Sequence, residues 1–111
     1  MSPVRLAAVL AVATLIAACA QPLPADRAAY AGDWTGPGTV LSISQDGNVV
    51  FEQTSGGSKT SIKGPIKTFE GDDIVAGFAF ITSTIDVTAA PVEKNGVWMM
   101  GVSGVELTRA P

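Results

Sequence analysis

The chain has 111 residues, seven basic and ten acidic side chains, a formal net charge of −3, no histidine and a single cysteine, Cys19. A chain of this length holds one small domain. The lack of histidine excludes Ser-His-Asp triads, histidine general bases and histidine-ligated metal sites, and mild acidity without a basic run removes the electrostatic case for nucleic acid or anionic lipid.

The first residues carry one positive charge, Arg5, ahead of an apolar run from Leu6 to Ala18 that only Thr14 interrupts. A helix that spans a bilayer needs about 20 apolar residues. A charged start, a short apolar core and small residues at its end describe a cleaved secretory signal over residues 1–18. The sequence Ile16-Ala17-Ala18-Cys19 resembles the lipobox of bacterial lipoproteins. That resemblance implies cleavage before Cys19, a diacylglycerol on its thiol and a third acyl chain on the new amino group. A buried methylene contributes about 0.8 kcal/mol, so several chains hold a protein to a membrane where one does so only marginally. Ala20 stands where an inner-membrane retention signal usually carries Asp. By resemblance to Gram-negative sorting, this points to the outer membrane, facing the periplasm. An ordinary signal, cut at Ala18 or Ala20, is the competing reading. Losing residues 1–18 removes Arg5 and no acid, which takes the formal charge from −3 to −4. With Cys19 acylated, the mature domain has no thiol for a disulfide, a nucleophile or a metal, and its stability rests on its core alone.

Residues 19–31 read as an acylated tether and a short turn. Pro22 and Pro24 keep the tether extended, and Asp26 to Ala31 suits a helical turn capped by Asp26 and ended by Gly32. Residues 32–111 then read as strands and turns. Leu41 and Ile43 share one face, and Asp46-Gly47 turns the chain. Val49 and Phe51 face inward on the return. Ser55 to Ser58 is a second turn, Ile62 faces inward, and Gly64-Pro65 breaks or bulges the strand. Ile66 and Phe69 lead to the acidic turn Glu70 to Asp73. Ile85 and Val87 share a face of a strand that Ala89-Ala90-Pro91 ends. Asn95-Gly96 turns into a strand with Trp98, Met100 and Val102 on one face, and Ser103-Gly104 suits a two-residue hairpin before the closing strand, Val105 to Arg109. Short strands at regular spacing predict an all-β domain, a small antiparallel up-and-down meander curled into a closed or partly closed barrel.

The run Ile74 to Ile81 is apolar throughout and fits poorly on a strand with one wet face. It suits a strand covered on both faces, a loop that enters the membrane beside the anchor, or an exposed patch that awaits a partner. Burial is the expectation, because so small a domain has few large side chains to spare from its core. Gly77 then supplies a kink that turns both Val75 and Phe78 to the core.

Tyr30-x-Gly32-x-Trp34-x-Gly36 and Leu107-Thr108-Arg109 together resemble the signature of the calycins, the lipocalin-like barrels. The resemblance covers two short patches. It implies that Arg109 lies over the face of Trp34 and donates to carbonyls of the N-terminal turn, a structural plug of one barrel end worth about 0.5–2 kcal/mol through the cation–π contact. The segment Val102 to Arg109 also resembles the ending of small bacterial lipoproteins, which implies no activity.

No catalytic constellation stands out. Asp72-Asp73 are adjacent residues, which a strand points to opposite faces, so they read as turn residues. No acids are spaced as an EF-hand loop, and no Gly-x-Ser-x-Gly elbow occurs. Gly56 to Thr60 echoes a phosphate loop without its upstream glycine or its helix. Trp98, Met99 and Met100 read as core before they read as a pocket. The expectation is therefore a membrane-tethered module without enzymatic activity, metal or cofactor, and without nucleic acid as a partner. It binds an envelope protein partner or a small apolar ligand at the barrel mouth. The alternative is a small carboxylate-based hydrolase of envelope glycans, for which two of Glu52, Glu70, Asp72, Asp73, Asp86 and Glu106 must converge about 5–10 Å apart in a cleft.

Overall fold

The structure is a computed structural model and describes residues 20–111. Residues 1–18, read above as a signal, and Cys19 lie outside the described residues. A 3₁₀ helix, Ala25–Tyr30, precedes nine strands: β1 (Gly32–Gly36), β2 (Thr39–Ile43), β3 (Asn48–Ser55), β4 (Ser58–Glu70), β5 (Asp73–Phe78), β6 (Ile81–Ile85), β7 (Val87–Lys94), β8 (Val97–Val102) and β9 (Val105–Arg109). They form one antiparallel up-and-down sheet in the order β6-β5-β4-β3-β2-β1-β9-β8-β7, curled into a half-barrel. The last strand returns to the first, with Trp34 opposite Arg109.

The two edge strands of this sheet, β6 and β7, are successive in the chain and separated only by Asp86. They act as one long strand whose first half pairs with β5 and whose second half pairs with β8. Two further bonds draw the seam together. The Asp73 carboxylate accepts from Val87 N–H at 2.8 Å, and Ser103 N–H donates to the Asp86 carbonyl at 2.8 Å. A side-chain oxygen thus takes the place of a ladder carbonyl where β5 and β7 meet.

Alternation puts the core inside. Leu41 and Ile43, Val49 and Phe51, Ile85 and Val87, and Met100 and Val102 are all buried, joined by Trp34, Ile74, Ala76 and Leu107. The packed interior leaves the barrel a core rather than a cavity. Asn95-Gly96 and Ser103-Gly104 both have positive φ at their two central positions, as a two-residue type I′ hairpin requires.

Several local expectations are corrected. Of the break or bulge expected at Gly64-Pro65, no break occurs. β4 runs on from Ser58 to Glu70 and changes partner there, from β3 to β5, with its register shift one step later between Ile66 and Thr68. Pro65 can sit inside because it lies where one pairing gives way to the next. Ala89-Ala90-Pro91 does not end a strand either. β7 continues to Lys94, and its register slips between Val87 and Ala89 and between Ala89 and Val92 absorb the proline on an edge. Asp26 does not cap the helix. The cap position is Pro24, with no side-chain bond, and Asp26 stands in the first turn.

The segment read as tether and turn is packed onto the domain. Leu23 N–H donates to the Gln45 carbonyl at 3.0 Å, and the Leu23 side chain rests on the core. A Cβ at Gly47 would collide with the Gln21 carbonyl, so the residue of the Asp46-Gly47 turn that sequence marks for its backbone freedom also admits the incoming chain.

Candidate functional site at the two barrel ends

Turns of a meander alternate between the two ends of the barrel. The N-terminal segment, the β2–β3 turn, the β4–β5 turn and the β7–β8 turn share one end. The β1–β2, β3–β4, β5–β6 and β8–β9 turns share the other.

The first end is shut. Trp34 is fully buried, and its indole Nε1 donates to the Tyr30 carbonyl at 2.9 Å, which satisfies the one polar atom of that ring. The Arg109 guanidinium carbon lies 5.8 Å from the Trp34 ring centroid and 4.9 Å from that of Trp98. Its Nη1 donates to the Ala31 carbonyl at 3.3 Å. Gly32 stands with φ +140°, and a Cβ there would strike the Arg109 stem, so Arg109 can cross the strand start only because that residue is glycine. Trp98 was expected inside with Met100 and Val102. It is half-buried instead, packed against the core with the Arg109 guanidinium over its ring.

A second clasp lies beside this plug, and nothing in the sequence pointed to it. The Tyr30 hydroxyl donates to the Asp72 carbonyl at 2.9 Å and accepts from Arg27 Nη1 at 3.2 Å. Tyr30 meets Phe69 edge-on at 5.1 Å, and Arg27 lies 4.8 Å from the Phe69 centroid with its Nη1 3.8 Å from an Asp72 carboxylate oxygen. Burial raises the Tyr30 hydroxyl above its ordinary value, and the hydrogen bond and charge of Arg27 oppose that shift only in part. On the adjacent β2–β3 turn the Ser44 hydroxyl donates to Asp46 and holds that exposed carboxyl below its ordinary value. Asp72 and Asp73 therefore have separate structural tasks, one holding Arg27 and the other the β5–β7 seam. No feature of the sequence could pair Arg27 with Asp72, since their contact depends on how the sheet curls.

The opposite end carries the main correction. Ile74, Val75 and Ala76 are buried, but Phe78 is 66 %, Phe80 89 % and Ile81 74 % exposed. The run Ile74 to Ile81 is half core strand and half projecting hairpin. β5 and β6 turn at Ala79-Phe80, a two-residue turn closed by Phe78 opposite Ile81, with the tip beside Ile62 and Lys63 of β4. Gly77 does not turn Phe78 into the core. Beside the tip lies a cleft of about 260 Å³, lined by the apolar Ile62, Ala76, Phe78 and Ile81 and by the polar Ser61, Lys63 and Ser83. Four surface clefts among the described residues each have at most one side-chain carboxylate in their lining.

The fold and its two ends define the class: a small antiparallel half-barrel, filled by its own core, with one plugged end and one apolar rim. In comparisons with known proteins, no family model, no curated protein and no solved structure matches the chain.

Proposed function

We propose that the protein is a lipid-anchored, non-catalytic binding module of the bacterial envelope, tethered through acyl chains on Cys19, whose working surface is the β5–β6 hairpin at the rim away from the anchor. The observation that carries this reading is the exposure of Phe78, Phe80 and Ile81 at the end opposite the N-terminal segment. A domain this small gains stability from each large side chain it buries. Three such side chains left in water on one hairpin mark a contact surface. Gln21 and Leu23 dock at the plugged end, which supports an anchor on that side with the hairpin pointing away from it. An envelope protein, or a small apolar ligand in the cleft beside Phe78 and Ile81, is what such a rim takes. The separate structural tasks of Asp72 and Asp73 and the single-carboxylate clefts favour this reading over a carboxylate hydrolase. The calycin-like plug belongs to the same proposal, with Trp34 and Arg109 in its two roles.

The test is metabolic labelling with a fatty acid combined with fractionation. The natural chain should carry label and sediment with membranes, the Cys19→Ser chain should do neither, and a photo-crosslinking residue at position 80 should trap a partner in cells that one at position 46 does not. Label on the Cys19→Ser chain overturns the anchor. Equal trapping at positions 46 and 80 overturns the surface.

A further inference from the structure

The two edge strands of the sheet are treated very differently by the sequence. β7 carries Pro91, Glu93 and Lys94 and two register slips, the devices by which natural sheets blunt an open edge. β6 has none of them. Its five residues, Ile81-Thr82-Ser83-Thr84-Ile85, pair with β5 in unbroken register, and the chain holds no charge anywhere from Ile74 to Ile85. Four of the five are exposed. Among the described residues β5 is the only sheet neighbour of β6.

The hairpin decides which backbone groups stand free. Closed by Phe78 opposite Ile81 across a two-residue turn, its ladder alternates from there, so Ile81, Ser83 and Ile85 direct their N–H and C=O groups to β5. Thr82 and Thr84 direct theirs outward. The open edge is therefore a short row of four groups, two donors and two acceptors, centred on Ser83. The sequence of this edge is also a palindrome: it reads the same from Ile81 to Ile85 as from Ile85 to Ile81.

We propose that a second copy of this chain covers the edge, β6 pairing antiparallel with β6 about a two-fold axis through Ser83. This deepens the reading of the hairpin as the contact surface and rests on it. In that register Thr82 stands opposite Thr84 of the other copy and exchanges both backbone bonds with it. The same happens at the symmetric position, so all four free groups are satisfied and none is left over. The palindrome sets threonine against threonine and isoleucine against isoleucine, and threonine pairs are favourable across strands. No like charges meet, because the segment has none. The arrangement is isologous and closes at two, since each copy uses its one unblunted edge. In that register the exposed Phe80 of each copy falls opposite Asp86 of the other. The rotation also sends the two N-terminal segments to opposite ends of the pair.

The two-fold axis makes a sharp test. Ser83 faces itself at a non-hydrogen-bonded position, where Cα atoms stand about 4.5 Å apart, within the span that a disulfide bridges. In the full chain with Cys19→Ser, so that no other thiol is present, Ser83→Cys should form a covalent dimer under mild oxidation while Thr60→Cys on β4 stays monomeric. Light scattering on the same chain with Ser83 intact should show a dimer. Thr82→Pro removes an outward N–H that β5 does not use, and hence two bonds per pair, so self-association should weaken about tenfold or more with the circular dichroism of the monomer unchanged. The pairing is overturned if Ser83→Cys oxidises no faster than Thr60→Cys, if the chain is monomeric at all concentrations, or if Ser83→Cys joins a different protein. In each of those cases trapping through position 80 still reports separately on the hairpin as a surface.

Discussion

Single residues at the plugged end are held by more than one contact each, and this makes their energetics coupled. Arg109 touches Trp34, Trp98 and the Ala31 carbonyl at once. A double-mutant cycle of Trp34→Phe with Arg109→Ala, read by denaturant unfolding, should show non-additivity of about 0.5 kcal/mol or more. Strict additivity removes the plug as an energetic unit. Tyr30 offers a second test through its ionisation. Burial favours the neutral phenol, so the folded protein holds its proton to higher pH than the unfolded chain does. The unfolded state then binds fewer protons, and stability falls as pH rises through the ordinary tyrosine value of 10.0 towards the raised folded value. Below that range the group adds no pH dependence. Tyr30→Phe should flatten this alkaline slope relative to the parent, although it also loses the bond to Asp72. An unchanged slope in thermal melts between neutral and alkaline pH counts against burial of the hydroxyl.

At the scale of elements, β5 shows how one apolar run serves two ends. Its first three apolar residues pack inside, and its last belongs to the projecting tip. Ile74→Ala should therefore cost about 2–5 kcal/mol, the usual effect of emptying a buried aliphatic site. Phe78→Ala should cost within about 1 kcal/mol, as exposed substitutions do. Chemical denaturation of both variants decides this, and a large loss for Phe78→Ala restores the expectation of burial. The same contrast explains why hydropathy misjudged the segment. Periodicity and burial agree only while a strand lies within the rim, and the length of a hairpin beyond the rim depends on the stagger of its neighbours.

For the whole molecule, the N-terminal segment is the element whose role changes most between sequence and structure. Leu23 and Tyr30 are packed on the core, and Trp34 Nε1 depends on the Tyr30 carbonyl. A chain that carries Cys19→Ser and begins folding only at Gly32, with residues 20–31 replaced by a Gly-Ser linker, should lose about 3 kcal/mol or more. In a domain of this size that is a large share of the whole. A melting temperature equal to the parent's shows the segment to be a tether only. Its docking brings Gln21 and Leu23 to the plugged end and leaves the β5–β6 hairpin at the other.

The strands, their inward faces and most of their turns were legible from residue pattern alone. Leu41 with Ile43, Val49 with Phe51, Ile85 with Val87 and Met100 with Val102 all lie inside because strand alternation is a local property. The turns at Asn95-Gly96 and Ser103-Gly104 were legible for the same reason: two residues suffice to define them. Tertiary structure alone decided what depends on stagger and closure. The continuation of β4 through Pro65 and of β7 through Pro91, the exposure of Phe78 and Phe80, the cover of Arg109 over Trp98, the Arg27–Asp72 clasp and the Asp73–Val87 seam all depend on how separate strands meet in the folded sheet. Local pattern says which side of a strand is apolar. Only the curl of the sheet says where along the strand that side runs out of neighbours.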